Sequence, residues 1–366
     1  MEFIRDNILK ILGGFLIVII IIIVISSCSG KTTERAIGYV AMENELQQTA
    51  IKYAKRNTNI LPKTKENVSK VQMSTLYTEK KMQKITAAED SNVKCQGYVN
   101  IYMNNTSGYK FVPFLKCGKY YQTKTIAEYI LNNEEIVTVD DGLYKDGEDY
   151  LYRGEYPNNY IKIGERLYRI MNITSDNYLR VVSNEYITES VVWDDRYNSE
   201  SQREYGINNY TKSRLKKSVE DLFDLENDYI TDEEKNVMVK HDICIGKRSK
   251  TDGVIEKNHE CDETLNDVYV SLPVVEDYFR ASIDSGCTDI TKNECNNYNY
   301  FQSMKFRTHT LTASKDDTYS VFSLTKSGYN YRKASYSSYL NIVFYVNNNV
   351  IYKEGNGSLE NPYIVR

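Results

Sequence analysis

Cysteine and histidine are the residues here best suited to nucleophilic, redox or metal chemistry, and the chain has 7 Cys and 3 His in 366 residues. His241, Cys244, His259 and Cys261 cluster within one stretch, and zinc takes ligands of these types. A single residue separates His259 from Cys261, which is poor spacing for a zinc pair, so a Cys244–Cys261 disulfide is the expectation and no metal is expected. Cys287 and Cys295 bracket a short polar loop, and Cys95 and Cys117 flank a hairpin. With Cys28 set aside, an even number of cysteines remains in local pairs, which reads as three disulfides. Many pairings stay open on sequence alone, and the nearest-neighbour set is the simplest. No nucleophile, base and orienting group can be assembled from the dispersed histidines, so neither enzyme activity nor a cofactor is expected.

The other chemical candidate is VVWDDRYN, which holds the single tryptophan, Trp193. Aromatic and Arg side chains dominate binding hot spots, and loops on a rigid sheet usually carry recognition. Trp193, Asp194, Asp195, Arg196, Tyr197 and Asn198 are therefore candidate ligand contacts. Trp193 also reads as a core anchor. Asp140-Asp141-Gly142 and Lys145-Asp146-Gly147 place acids beside Gly, but without EF-hand spacing, and read as turns.

The elements that would position these residues follow from periodicity. Around Leu167–Asn172 and Tyr178–Val182, apolar and polar residues alternate, which predicts strands with one buried face. A helix opening near Thr211 puts Leu215, Val219, Leu222 and Phe223 on one stripe. Strand, strand, Trp loop and helix form the expected nucleus. Cys95–Tyr102 and Tyr109–Cys117 flank Asn104-Asn105-Thr106-Ser107-Gly108, a hairpin tip that sets Cys95 opposite Cys117. Thr32–Asn57 has helical spacing, with Thr33 as cap and Leu61-Pro62 as stop. Met73–Ile85 reads as a second helix, Thr231–Glu234 as a capping box, and Ser271 as the cap of a helix near Pro273. Lys305–Ala313, Tyr319–Thr325, Tyr339–Tyr345, Val350–Tyr352 and the end EGNGSLENPYIVR read as strands and turns.

Composition bounds the partners. The formal net charge of -4 gives no electrostatic case for nucleic acid. Ile11–Ile25 is an unbroken run of apolar residues and Gly, short for a spanning helix but long enough for a signal-peptide core. It ends in Ser26-Ser27-Cys28. Ile25-Ser26-Ser27-Cys28 resembles the lipobox of bacterial lipoproteins, in which the Cys carries lipid. An uncleaved membrane anchor is the alternative. Gly14-Phe15 is similar to a prepilin cleavage site, although Ile19 stands where an acid belongs. Each reading puts the bulk of the chain on the extracellular face of a bacterial membrane.

From Tyr160 onward, GERLYRIMNI, VVWDDRYN, SRLKKSVEDLF, VYVSLPVVEDYF and IVFYVNNNVIYKEGNGSLENPYIV together resemble a bacterial extracellular domain of unknown function. That domain groups with the C-type-lectin-like folds and is related to the sulfatase-modifying factors. The front, Thr32 to about Val137, resembles the pilin-like region that accompanies such domains in anchored proteins of low-GC Gram-positive bacteria. The resemblance implies an α+β protein in four parts: a membrane segment over 1–30, a helix plus disulfide-stapled hairpin domain over 31–137, a linker strand over 138–159 and a C-type-lectin-like domain over 160–366. It implies a non-catalytic surface protein recognising a glycan, wall polymer or protein. A pilin-like envelope component is the alternative, and an oxidative enzyme using Cys287 and Cys295 is a third. Lectin calcium sites use a Glu-Pro-Asn loop and a Trp-Asn-Asp strand. Trp193-Asp194-Asp195 echoes only part of this, so calcium-dependent sugar binding is not expected.

Overall fold

A computed structural model describes residues 38–79, 81–224 and 228–366. The membrane segment, Cys28, the prepilin-like site and the Thr33 cap lie outside these residues. Among the described residues no helix is long and apolar enough to cross a membrane. The chain divides into two compact units, Met1–Thr123 and Lys124–Arg366, each with its own core.

The first unit pairs a helix over 38–56 with a four-stranded antiparallel sheet, and the central strands of that sheet are Gln96–Met103 and Tyr109–Cys117. Leu46, Ala50 and Ala54 recur at helical spacing and are buried with Val99, Ile101 and Leu115 of the hairpin. The hairpin register runs from Gln96 opposite Lys116 to Met103 opposite Tyr109. The predicted facing pair Cys95–Cys117 is a disulfide, with its Cα atoms 4.2 Å apart. The second helix covers only Met73–Thr78, because its apolar stripe is exhausted once Met73 and Leu76 are buried.

The second unit is built on a nine-stranded sheet and a five-stranded sheet. At the centre of the larger sheet lies Arg166–Ile173, antiparallel to Tyr160–Ile163 on one side and Leu179–Ser183 on the other. The last strand, Tyr363–Val365, pairs in parallel with Tyr160–Ile163, beside the hairpin that Tyr160–Ile163 forms with Arg166–Ile173. The strand Arg166–Ile173 was expected to bury one face, yet Tyr168 through Met171 are all buried. The strand is covered on both faces and its register shifts between Ile170 and Asn172. Arg169 is tolerated inside because its Nε donates to Asn159 at 2.5 Å and its guanidinium lies 3.8 Å from the centre of the Tyr160 ring. Burial pulls its pKa down to about 10.

Residues 124–159 were expected to divide between the first domain and a linker. They belong to the second unit's core, which includes Ile126, Ala127, Ile130 and Leu143. Thr125 and Glu128 form a capping box that starts the helix Ile126–Asn133, a Thr-x-x-Glu signal present in the sequence. The segment Gly142–Arg153 is a hairpin, and its second strand joins the larger sheet. The expected capping box at Thr231 and Glu234 is present. Ser271 does not cap the next helix. Its backbone bridges to Val343, and Asp277 accepts the Val274 N–H at the start of Val275–Arg280.

Candidate functional site

The tryptophan loop is a structural knot. Trp193 is fully buried, its indole N–H donates to the Thr310 carbonyl at 3.1 Å, and its own carbonyl accepts from Leu215 N–H at 3.0 Å. Asp194 is equally buried and accepts from Arg196 through the backbone N–H and the guanidinium. Asn198 is buried too: its amide donates to the Gly206 carbonyl at 2.9 Å, and its oxygen accepts from Glu200 and Ser201. Gly206 has φ +82°, and a Cβ there would lie 1.9 Å from the Asp194 carbonyl oxygen, so only Gly lets the two strands of the loop meet. Asp195 pairs with Arg214 at 2.9 Å. Of the six candidate contacts, Tyr197 is the one that stands well exposed, at 60%. The Trp193, Asp194 and Asn198 side chains are engaged by partners within the protein, and Trp193 occupies the core-anchor role.

The metal-like constellation is dispersed. Cys244 is bonded to Cys261 and Cys287 to Cys295. His259 Nε2 lies 2.8 Å from Asp252, whereas the His241 ring packs on Tyr345 with centroids 3.7 Å apart. Among the described residues no three His, Cys, Asp or Glu side chains are grouped to hold a metal.

Polar groups converge instead in a cleft of about 300 Å³ within the second unit. The larger sheet supplies Arg180 and Tyr345, the smaller supplies His241, and the helix Val275–Arg280 supplies Glu276, Asp277 and Arg280. Arg180 donates both Nη groups to Asp277, at 2.5 and 2.8 Å, and both side chains are largely buried. At the rim, Lys257 meets Asp149 and Arg280 meets Asp146, each at 2.6 Å. Glu276 accepts from the N–H groups of Asn258 and His259, each at 3.0 Å. Burial, reinforced by the neighbouring Asp277 charge, pushes the Glu276 carboxyl up to about 7. Behind it, Glu260 accepts from Arg248 Nε at 2.7 Å and from the Val275 N–H at 2.9 Å. Burial lowers the His241 pKa, which favours its neutral ring.

Sequence reasoning missed this cleft. Its one signal was the pair Glu276-Asp277 inside the apolar run PVVEDYF, where acids at a helix start have an ordinary explanation. The class defined by these features is an α+β protein of two disulfide-containing units, the second holding a charged, internally paired cleft. No family model, curated protein or solved structure matches the chain.

Proposed function

We propose that this chain is a non-catalytic binding protein held at the extracellular face of a bacterial membrane, by its N-terminal segment or by lipid on Cys28, and that its second unit recognises a glycan, wall polymer or protein. The observation that carries this reading is the cleft of about 300 Å³, whose Arg180, Lys257 and Arg280 charges are each matched by a carboxylate of the protein. A concave site lined by fixed, already compensated polar groups favours hydrogen bonding to a hydroxyl-rich ligand. In the cleft Cys244 is held in a disulfide, and the Ser271 hydroxyl donates to the Val343 carbonyl at 3.2 Å. Three disulfides suit an oxidising compartment.

The test is a binding screen of the full-length protein in detergent against host glycans, peptidoglycan and wall polymers, each with and without a chelator. Saturable binding that Lys257→Ala weakens supports the reading. Chelator sensitivity would bring calcium into the site. A clean negative on folded protein counts against recognition and moves weight to envelope assembly.

A further inference from the structure

A second cavity lies apart from the charged cleft, on the five-stranded sheet. The register sets His309 opposite Ser323, Arg307 opposite Thr325, Ser323 opposite Asn330 and Val321 opposite Arg332. Residues opposite one another in an antiparallel ladder share a face. Arg307, His309, Ser323, Thr325, Asn330 and Arg332 therefore stand together. The alternate residues, among them Thr308, Phe322 and Leu324, are fully buried. The short strand Ser337–Ser338, with Tyr336 before it, walls the polar face into a cavity of about 320 Å³.

The lining has an unusual charge balance. It holds two arginines, a histidine, an amide, hydroxyls and a tyrosine, and no carboxylate. Elsewhere in this unit Arg166, Arg180, Arg248 and Arg280 each meet an acid. Among the described residues neither Arg307 nor Arg332 forms an ion pair. Arg332 Nη2 reaches only Asn330, at 3.4 Å, and its guanidinium lies 5.2 Å from the Tyr336 ring centre. Arg307 lies 5.8 Å from the Tyr339 ring centre. Both guanidinium forks thus keep their donors available, and such forks match carboxylate and phosphate oxygens.

The floor is rigid. His309 Nε2 lies 2.8 Å from the Val191 carbonyl, which requires a proton on Nε2. Burial holds its pKa down to about 4, so the ring is neutral near pH 7. Its Nδ1 is then an acceptor, with no hydrogen-bond partner among the described residues. Two residues further on, Trp193 pins the same strand through Thr310. Cations at the rim and uncharged donors and acceptors inside suit one chemical class.

The geometry points to a recognition site for a hydroxylated anion, in which Arg307 and Arg332 take a phosphate or carboxylate and the Ser323, Thr325, Ser337 and Asn330 side chains take the hydroxyls beside it. This goes beyond the binding function proposed above: it adds a second contact, on a different face of the unit from the charged cleft. A sugar acid and a polyol phosphate share this chemistry.

The experiment is calorimetric titration of the full-length protein in detergent with glycerol 3-phosphate, with glucuronate, and with uncharged glycerol and glucose, repeated on the double variant Arg307→Gln, Arg332→Gln. Both positions are exposed, so the variant should fold, and its thermal melt checks that. The expected result is saturable binding of at least one anion, none of the neutral probes, and at least a tenfold loss in the variant. Preference for one anion separates phosphate from carboxylate as the natural group. Absence of anion binding at millimolar concentration overturns the site, as does binding that the folded variant retains. A polymer hit in the wider screen that Lys257→Ala weakens and the double variant retains would leave the binding function standing, while the anion titration decides this site.

Discussion

The indole N–H of Trp193 donates to the carbonyl of Thr310 across 3.1 Å of fully buried space. That bond ties the most conspicuous loop in the sequence to the strand Arg307–Ser314, which carries His309 and Arg307. The Tyr210 ring packs edge-on against the indole at 6.0 Å, so the loop is held by packing as well as by hydrogen bonding.

Trp193→Ala is expected to cost about 3–5 kcal/mol, the range for deleting a large buried aromatic. Trp193→Phe keeps most of the ring and strands the Thr310 carbonyl, for about 1–3 kcal/mol. Urea denaturation followed by far-UV circular dichroism measures both. A Trp193→Ala protein as stable as the parent would contradict the core-anchor role.

The Arg180–Asp277 pair is buried and bidentate. Asp277→Asn leaves the guanidinium without its counter-charge and is expected to destabilise by about 3–5 kcal/mol, while the double change Arg180→Met, Asp277→Asn recovers part of that loss. A double-mutant cycle in urea reads the coupling. Additive single effects would show that the two side chains do not depend on one another.

Stability should respond to pH with two opposed contributions. The native Glu276 carboxyl titrates at about 7, against about 4.3 in an unfolded chain. Its contribution is full below about 4.3 and is lost as pH rises through about 7. His309 titrates at about 4 when native, against about 6.5 unfolded. Its contribution is full above about 6.5 and is lost as pH falls through about 4. Glu276→Gln removes the first, so its stability relative to the parent should rise by about 2 kcal/mol between pH 5 and pH 7.5. Urea midpoints at the two pH values test this, and an unchanged gap would mean that Glu276 ionises normally.

Loss of the first unit's bridge should destabilise the fold more than loss of the shortest one, if the bridges act by restricting the unfolded chain. Cys95–Cys117 closes a separation of 22 residues and Cys287–Cys295 one of 8, which corresponds to about 3.4 and about 2.5 kcal/mol. Paired Cys→Ala variants compared by urea titration give the order. A Cys287/Cys295 loss exceeding the Cys95/Cys117 loss would show that local native contacts, not chain closure, dominate.

Local order was legible where one segment carries its own signal. The Asn104–Gly108 tip sets the hairpin, its register puts Cys95 against Cys117, and the Thr231–Glu234 box starts a helix as its spacing requires. The strand His241–Arg248 was missed because its alternation is interrupted, with Cys244 and Gly246 among its residues. It is a strand because it pairs with Glu263–Val268 on one side and in parallel with Arg307–Ser314 on the other. Parallel pairing between segments so far apart leaves no local pattern to read.

By itself the sequence determined those elements that carry their own turn, cap or period signal and the cysteine pairs close enough along the chain to meet, because turn chemistry and side-chain period act over a few residues. Only the tertiary structure decided which polar residues stand together. Arg180 meets Asp277 from 97 positions away, and Arg307 shares a face with Arg332 only because two hairpin registers add up correctly. It also decided that Trp193, Asp194 and Asn198 turn inward. Burial depends on what the rest of the chain lays over a loop, and residue type alone does not carry that information.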